Sequence, residues 1–315
     1  MVINITKEAL EKTGSLTEAI RNFYDLNLEG RLCVLDSEAM NGCVAKAYNQ
    51  LGISARKGTY RKIVADFKTR TGYKEGKERR NLIVDVGCGS GILSIELAEQ
   101  TDGIVLGIDL SKDMIKLANQ NKERKAEEFV EEVVSQYKSE GYDFTGFIPA
   151  SHDLLPEIID ASNYNNARTH FREGNVYGLS KLIKKRSVDY VVCRNTFHRL
   201  REPQKALKQM LKALRVGGKL YIRDLRRDAD WKTVVERIGE KRWASPVLVK
   251  DYIEAMASMI TIEELKKMLI DNGIKKYSMS EGSYRNGNEP LPKENIKEYE
   301  KETEYVCIVE KGEKS

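Results

Sequence analysis

Histidine is scarce in this chain: three residues in 315, with no H-x-x-H spacing among them. A histidine-built metal centre is therefore not expected, and His152-Asp153 is too little to suggest one. The five cysteines (Cys33, Cys43, Cys88, Cys193 and Cys307) form no C-x-x-C pair, so reduced thiols in a cytoplasm are the plain expectation. No apolar run approaches the roughly 18 residues of a membrane span. The opening Met1-Val2-Ile3-Asn4 has neither a basic n-region nor an apolar h-region, so neither a membrane protein nor a secreted one is expected. A net charge of +5 is too modest to demand a nucleic-acid partner.

With 41% hydrophobic and 32% charged residues, the chain is globular and highly charged rather than disordered. Its length allows one full core plus additions. The organising stretch is Asn81–Asp109, NLIVDVGCGSGILSIELAEQTDGIVLGID. Leu82-Ile83-Val84-Asp85-Val86 is short, apolar and β-branched, as a buried strand requires. Gly87-Cys88-Gly89-Ser90-Gly91 then lets the backbone turn tightly and approach a ligand beside the positive end of the following helix. A second buried strand, Ile104 to Ile108, ends on Asp109. An acid about 20 residues beyond the glycines, at the end of the next strand, is placed to accept both hydroxyls of a ribose. The unit is an adenosine site.

The spacing separates two kinds of adenosine cofactor. Dinucleotides use G-x-G-x-x-G, with the pyrophosphate at the helix start. Here the spacing is G-x-G-x-G, and Asp85 stands two residues before the first glycine. A carboxylate there repels a pyrophosphate and suits a cationic amino group. S-adenosylmethionine (SAM) carries such a group and a ribose, but no phosphate.

DVGCGSG resembles the first motif of class I SAM-dependent methyltransferases. The block Val188–Leu220 resembles the fourth strand, following loop, amphipathic helix and GG-turn of the ubiquinone/menaquinone-biosynthesis-like methyltransferases. There Gly217-Gly218 is expected to end the helix and start a fifth strand, Lys219 to Arg223. Ala45-Lys46-Ala47-Tyr48 resembles the A-x-x-Y segment of helices that cover the SAM pocket in this class. The resemblance implies an α/β Rossmann-like fold with a seven-stranded, mostly parallel sheet and helices on both faces. To it are added an N-terminal helical cap at 1–78 and a helical insertion at about 122–166 within a cofactor domain at 79–315. It implies cofactor contacts from Asp85, Gly87, Cys88, Gly89, Gly91, Asp109, Leu110, Met114, Asn175, Val176, Cys193 and Arg194. Asn175-Val176 stands where the family often has Asp-Ala, and its amide oxygen can still accept a bond from the adenine amino group. Met114 fits either an adenine face or ordinary core packing.

For the chemistry, His198 is the first candidate base, because its loop follows the fourth strand; the alternative is that it only shapes that loop. Asp224 is second, with an ion pair to Arg226 or Arg227 as its structural alternative. Tyr48 either closes the pocket or is a core aromatic. Arg194, Arg199, Arg226 and Arg227 cluster in the two loops at the ligand edge, where guanidinium groups can grip a carboxylate or phosphate, with substrate contacts expected from Arg199, Arg226 and Arg227; the alternative is that they are solvated or paired with Asp224, Asp228 and Glu202. The expected activity is methyl transfer to a small, anionic acceptor under a roof of N-terminal helices and insertion, with S-adenosylhomocysteine as product. The alternatives are an RNA or protein methyltransferase using the basic rim of Arg56–Arg80, and a SAM-binding protein of this fold with no methylating activity. Nucleic acid is the less favoured partner, and a homodimer is left open. Calorimetry should show SAM or its demethylated product binding and NAD giving no heat. Asp109→Ala should cost about 1.5–3 kcal/mol for each charge-assisted ribose bond removed; unchanged affinity would mean that the ribose lies elsewhere.

Overall fold

A computed structural model describes residues 39–139, 168–229, 258–281 and 304–313, together with Asp251 and Ala255. Seven strands form one sheet: β1 Leu82–Val86, β2 Ile104–Asp109, β3 Thr169–Glu173, β4 Val188–Arg194, β5 Leu214–Leu225, β6 Tyr277–Glu281 and β7 Glu304–Glu310. Their spatial order is β3-β2-β1-β4-β5-β7-β6. The first five run parallel, and only β7 is antiparallel to its neighbours. The helices are α1 Gly42–Ala55, α2 Arg61–Thr71, α3 Ile92–Gln100, α4 Lys112–Ser139, α5 Leu179–Leu182, α6 Pro203–Ala213 and α7 Ile262–Asp271, with a π-helical turn, Arg56–Tyr60, between the first two. The order reverses between β1 and β4, and at that crevice open α/β sheets bind ligands.

Local chemistry accounts for the element boundaries. The Ser111 hydroxyl accepts from the Met114 N–H at 3.1 Å and so starts α4. Thr261 and Glu264 form a capping box and start α7. Pro203 opens α6, which buries Ala206, Leu207, Met210 and Leu211 against the sheet. One core cluster, including Val84, Val191, Leu207 and Leu265, fills one side of the sheet, and a second, including Ile63, Phe67, Leu97 and Tyr221, fills the other. Phe67 comes from α2, so the described end of the expected N-terminal cap shares its core with the cofactor domain.

One expectation is corrected. The fifth strand begins at Leu214 and passes through Gly217-Gly218 instead of starting after them; the register shifts there, from Val188↔Leu214 to Tyr190↔Lys219. The extra residues are absorbed as a bulge, which keeps both ends of the strand paired. Residues 1–38 of the expected cap and 140–166 of the expected insertion lie outside the described residues.

The far edge of the sheet is joined by buried charge. Arg223 (0% exposed) donates through Nε to Glu304 (0%) at 2.8 Å and lies 3.5 Å from Asp66, which also accepts from the Tyr221 hydroxyl at 2.7 Å and from Arg70 at 2.6 Å. Removing one member of a buried pair leaves its partner's charge uncompensated, at a cost of about 3–5 kcal/mol. Glu304→Leu should therefore lower the unfolding free energy by about that amount in urea titrations. A loss below about 1 kcal/mol would show that Asp66 alone compensates Arg223.

Candidate active site

The carboxyl ends of β1, β2, β3 and β4 meet around a cavity of about 950 Å³, counting the solvent at its mouth. Asp85, Gly87, Cys88 and Gly89 from the first turn line it, with Asp109 and Leu110 after β2, Met114 of α4, Asn175 and Val176 after β3, and Arg194 and Arg199 around the end of β4. Met40 and Tyr48 from the N-terminal segment line it too. That segment is clipped in place. The Ser111 hydroxyl donates to the Met40 carbonyl at 2.5 Å, the Gly42 N–H donates to Asp113 at 2.7 Å, and the Asn121 amide donates to Asn49 at 2.7 Å.

The first turn is built for close approach. Gly89 has φ +54, and a Cβ there would meet only the Tyr48 ring, at 3.9 Å, so it would stand in space that a ligand uses. Gly91 serves packing instead. A Cβ on it would fall 2.5 Å from the Phe171 ring and 2.8 Å from Ala118, and Gly91 does not line the cavity.

Two carboxylates flank this turn. Asp85 is buried and accepts from the Ser94 hydroxyl at 2.6 Å. Burial pushes its carboxyl up to about 7, against the Ser94 bond and with help from the nearby charge of Asp109. Asp109 accepts from the Gly89 N–H and the Ser111 N–H, both at 2.9 Å. Its carboxyl is raised by burial, and these backbone donors hold it back. Two acids beside the glycines exclude a pyrophosphate and fit a cation and a ribose. Asn175 spends one lone pair of its oxygen on the Tyr177 N–H at 2.9 Å.

The opposite end of the cavity is cationic. The Arg194 guanidinium lies over the Tyr60 ring, 5.0 Å from its centre. Buried Arg199 pairs with Asp251 at 3.0 Å. Burial pushes the Tyr48 phenol up to about 12, with Tyr60 adding to the shift, so it keeps its proton at neutral pH and serves as a donor rather than a base.

Several expected site residues are placed elsewhere. His198 is buried with its ring Nδ1 2.5 Å from Asp224, and neither lines the cavity. Asp224 also accepts from the backbone N–H groups of Thr196 (3.0 Å), His198 (3.2 Å) and Leu225 (2.7 Å), so the pair holds the loop after β4 from behind. Cys193 points into the core cluster on the α6 side of the sheet, where burial drives its thiol well above the usual range. Arg226 pairs with Asp228 at 2.9 Å, and Arg227 with Glu264 at 2.5 Å and the Met259 carbonyl at 2.8 Å, which turns both away.

Sequence reasoning missed Met40, Tyr60, Asn195, Thr196 and Leu200, all of which line the cavity. Asn195 carried a usable signal: it sits between two named site residues, and asparagine is one of the few non-glycines at home at its φ of +49.

Comparison with known proteins agrees with this geometry. A family model described as "Methyltransferase domain" matches residues 56–278, most of the chain. The chain belongs to this methyltransferase family. Its match is to the broad domain, not to the ubiquinone/menaquinone branch. Among solved structures, it is similar to a putative S-adenosyl-L-methionine-dependent methyltransferase from Methanococcus maripaludis, at TM-score 0.56 and 20% identity over 89% of this chain and 98% of that one. It is also similar to the plantazolicin methyltransferase BamL, solved with a triazolic desmethylPZN analogue and SAH, at TM-score 0.53 and 14% identity over 93% and 97% of the two chains. No curated protein matches the chain by sequence. At such identities the likeness is one of fold.

Asp224→Asn should loosen the loop of residues 195–199, because an amide replaces the acceptor that takes four bonds. Hydrogen exchange at the Thr196 and His198 amides should rise about tenfold or more, consistent with about 1.5–3 kcal/mol for a bond to a charged group. Unchanged protection would show that the loop is held by other contacts.

Proposed function

We propose that the chain transfers the methyl group of S-adenosylmethionine to a small anionic acceptor held at the Arg194/Arg199 end of the cavity. One observation carries this reading: acidic and basic ends share a single cavity, with Asp85 and Asp109 at one end and Arg194 and Arg199 at the other. The acids match the ammonium and ribose of the cofactor, and the open face of Gly89 leaves space for it. When bound, SAM supplies an activated methyl group on a sulfonium. The protein's part is to bind and orient. Arg194, stiffened by Tyr60, and Arg199, held by Asp251, grip a carboxylate or phosphate on the acceptor. Tyr48 donates a hydrogen bond, and Met40 and Tyr48 narrow the mouth against water. Orientation of this kind is worth about 7–11 kcal/mol in well-aligned reactions. His198 and Asp224 act by fixing the loop.

The acceptor is tested with labelled SAM and fractionated cell extract. Label should appear in small anionic metabolites, and label confined to RNA or protein would overturn the reading. With the acceptor in hand, Arg199→Gln should raise KM about 10- to 100-fold, as expected for losing a charge-assisted contact of about 1.5–3 kcal/mol.

Asp85 gives a second test. With its carboxyl at about 7, a substantial share is protonated near neutral pH in the free protein. A cationic amino group placed beside it favours the charged form, so S-adenosylhomocysteine binding should release about half a proton at pH 7. Adenosine, which lacks the amino group, should release none. Calorimetry in two buffers of different ionisation enthalpy measures both, and equal release by the two ligands would remove Asp85 from the amino site. Affinity for the homocysteine compound should fall as pH drops through 7 and 6, because the acid must then lose its proton to bind.

A further inference from the structure

The cavity occupies the carboxyl ends of the parallel strands. The opposite pole, where those strands begin, gathers cations that the proposed reaction does not use. Lys184, Lys185 and Arg186 form the turn before β4, Lys212 and Arg215 span the junction of α6 and β5, and Lys311 follows β7. Backbone bonds knit these pieces into one surface. The Arg186 N–H donates to the Lys212 carbonyl (3.1 Å), the Gly217 N–H to the Lys311 carbonyl (2.9 Å), and the Lys311 N–H to the Gly218 carbonyl (2.9 Å). All of these cations except Lys311 are exposed.

Acids there are outnumbered: Asp189 and Glu310 are engaged, and Glu75 and Glu78 are exposed before Arg79. Asp189 is buried and shared by Arg215 at 2.5 Å and Arg79 at 2.8 Å. Glu310 holds Lys276 at 2.5 Å, and Glu313 is exposed beyond Lys311.

Lys311 carries the argument furthest. The residue is 5% exposed, and among the described residues no carboxylate pairs with its ammonium. Burial and the like charge of Arg186 hold that ammonium below the usual lysine range. An ammonium held beside another cation costs the free protein stability, and an anion bound at that spot would restore it.

We propose that this pole docks the phosphodiester backbone of duplex nucleic acid, with Lys311 and Arg186 holding one phosphate and the other four cations engaging its neighbours. Extent selects a polymer over a free phosphate. Arg79 and Arg80 before β1 and Lys276 before β6 extend the row across five neighbouring strands, which at about 4.8 Å spacing gives about 19 Å. Five or six phosphates of one duplex strand span that length, at about 3.4 Å each along the axis. Point charges of this kind read backbone rather than bases, so binding is independent of sequence. A duplex held here lies on the side away from the cavity, and is a tethering partner and not the methyl acceptor.

The test is fluorescence anisotropy of the full chain with labelled DNA of about 20 base pairs, titrated between about 50 and 200 mM salt. The expected slope of log affinity against log salt is about −4 to −5, from about 0.9 for each phosphate engaged. Reversing three cations together (K184E/K185E/R186E) should reduce the slope by about 2–3. A control reversing exposed Lys112, Lys205 and Lys267 should leave it unchanged. Lys311→Met should weaken binding while raising Tm, a combination that mere loss of fold cannot produce. Absence of binding at the lowest salt, equal effects of the two triple variants, or a Lys311→Met protein that binds unchanged would each overturn the proposal. Preference for phosphatidylserine vesicles over the duplex would overturn it in favour of a lipid surface.

Discussion

Asp224 sits where β5 ends, out of contact with solvent, and accepts hydrogen bonds from three backbone amides and from the His198 ring. A carboxylate so placed is tolerated only because donors converge on it, and here the donors belong to the loop that leaves β4. Fixing that loop fixes Asn195, Thr196 and Arg199 and steadies Arg194 beside them, at the cationic end of the cavity. The other end is held in the same way: Asp109 ties the glycine turn to the start of α4 through Gly89 and Ser111. Each half of the site is therefore organised by one acid at the end of a strand, and the parallel sheet sets the two acids on the same side of the molecule.

The sequence made the cofactor half legible because its signals are local. Strand, glycine turn, helix and acid follow one another between Asn81 and Asp109, and each is dictated by neighbours a few residues away. The caps at Ser111 and Thr261 are just as local. The acceptor half was harder to read because it depends on where side chains turn. Arg226 and Arg227 lie at the correct edge of the sheet, yet Asp228, the alternative partner the sequence offers, and Glu264, remote in sequence, draw them off. His198 occupies the expected loop, but its ring faces Asp224. Cys193 follows from strand alternation alone: its neighbours Val192 and Arg194 point to the face opposite its own. The late start expected for β5 reflects treating two glycines as a stop, whereas a bulge lets the ladder run through them.

The two ends of the cavity also differ in how they balance charge. Arg194 and Arg199 are neutralised in part by a ring and by Asp251, and keep capacity for an anion. Asp85 has one neutral hydroxyl donor, so its charge is poorly supported until a cation arrives.

The packing of Phe171 has a consequence for how such a chain can change over generations. Its ring fills the space that a side chain at Gly91 or Gly107 would need, with imagined Cβ atoms 2.5 and 2.6 Å from it. Mutation at either glycine is closed while the ring remains. A smaller residue at 171 removes that clash at both positions, although Ala118 still confines 91 and Cys88 still confines 107. The three sites form a ratchet: a lineage must lose the ring before it can lose either glycine, and having filled a glycine it cannot regain the ring.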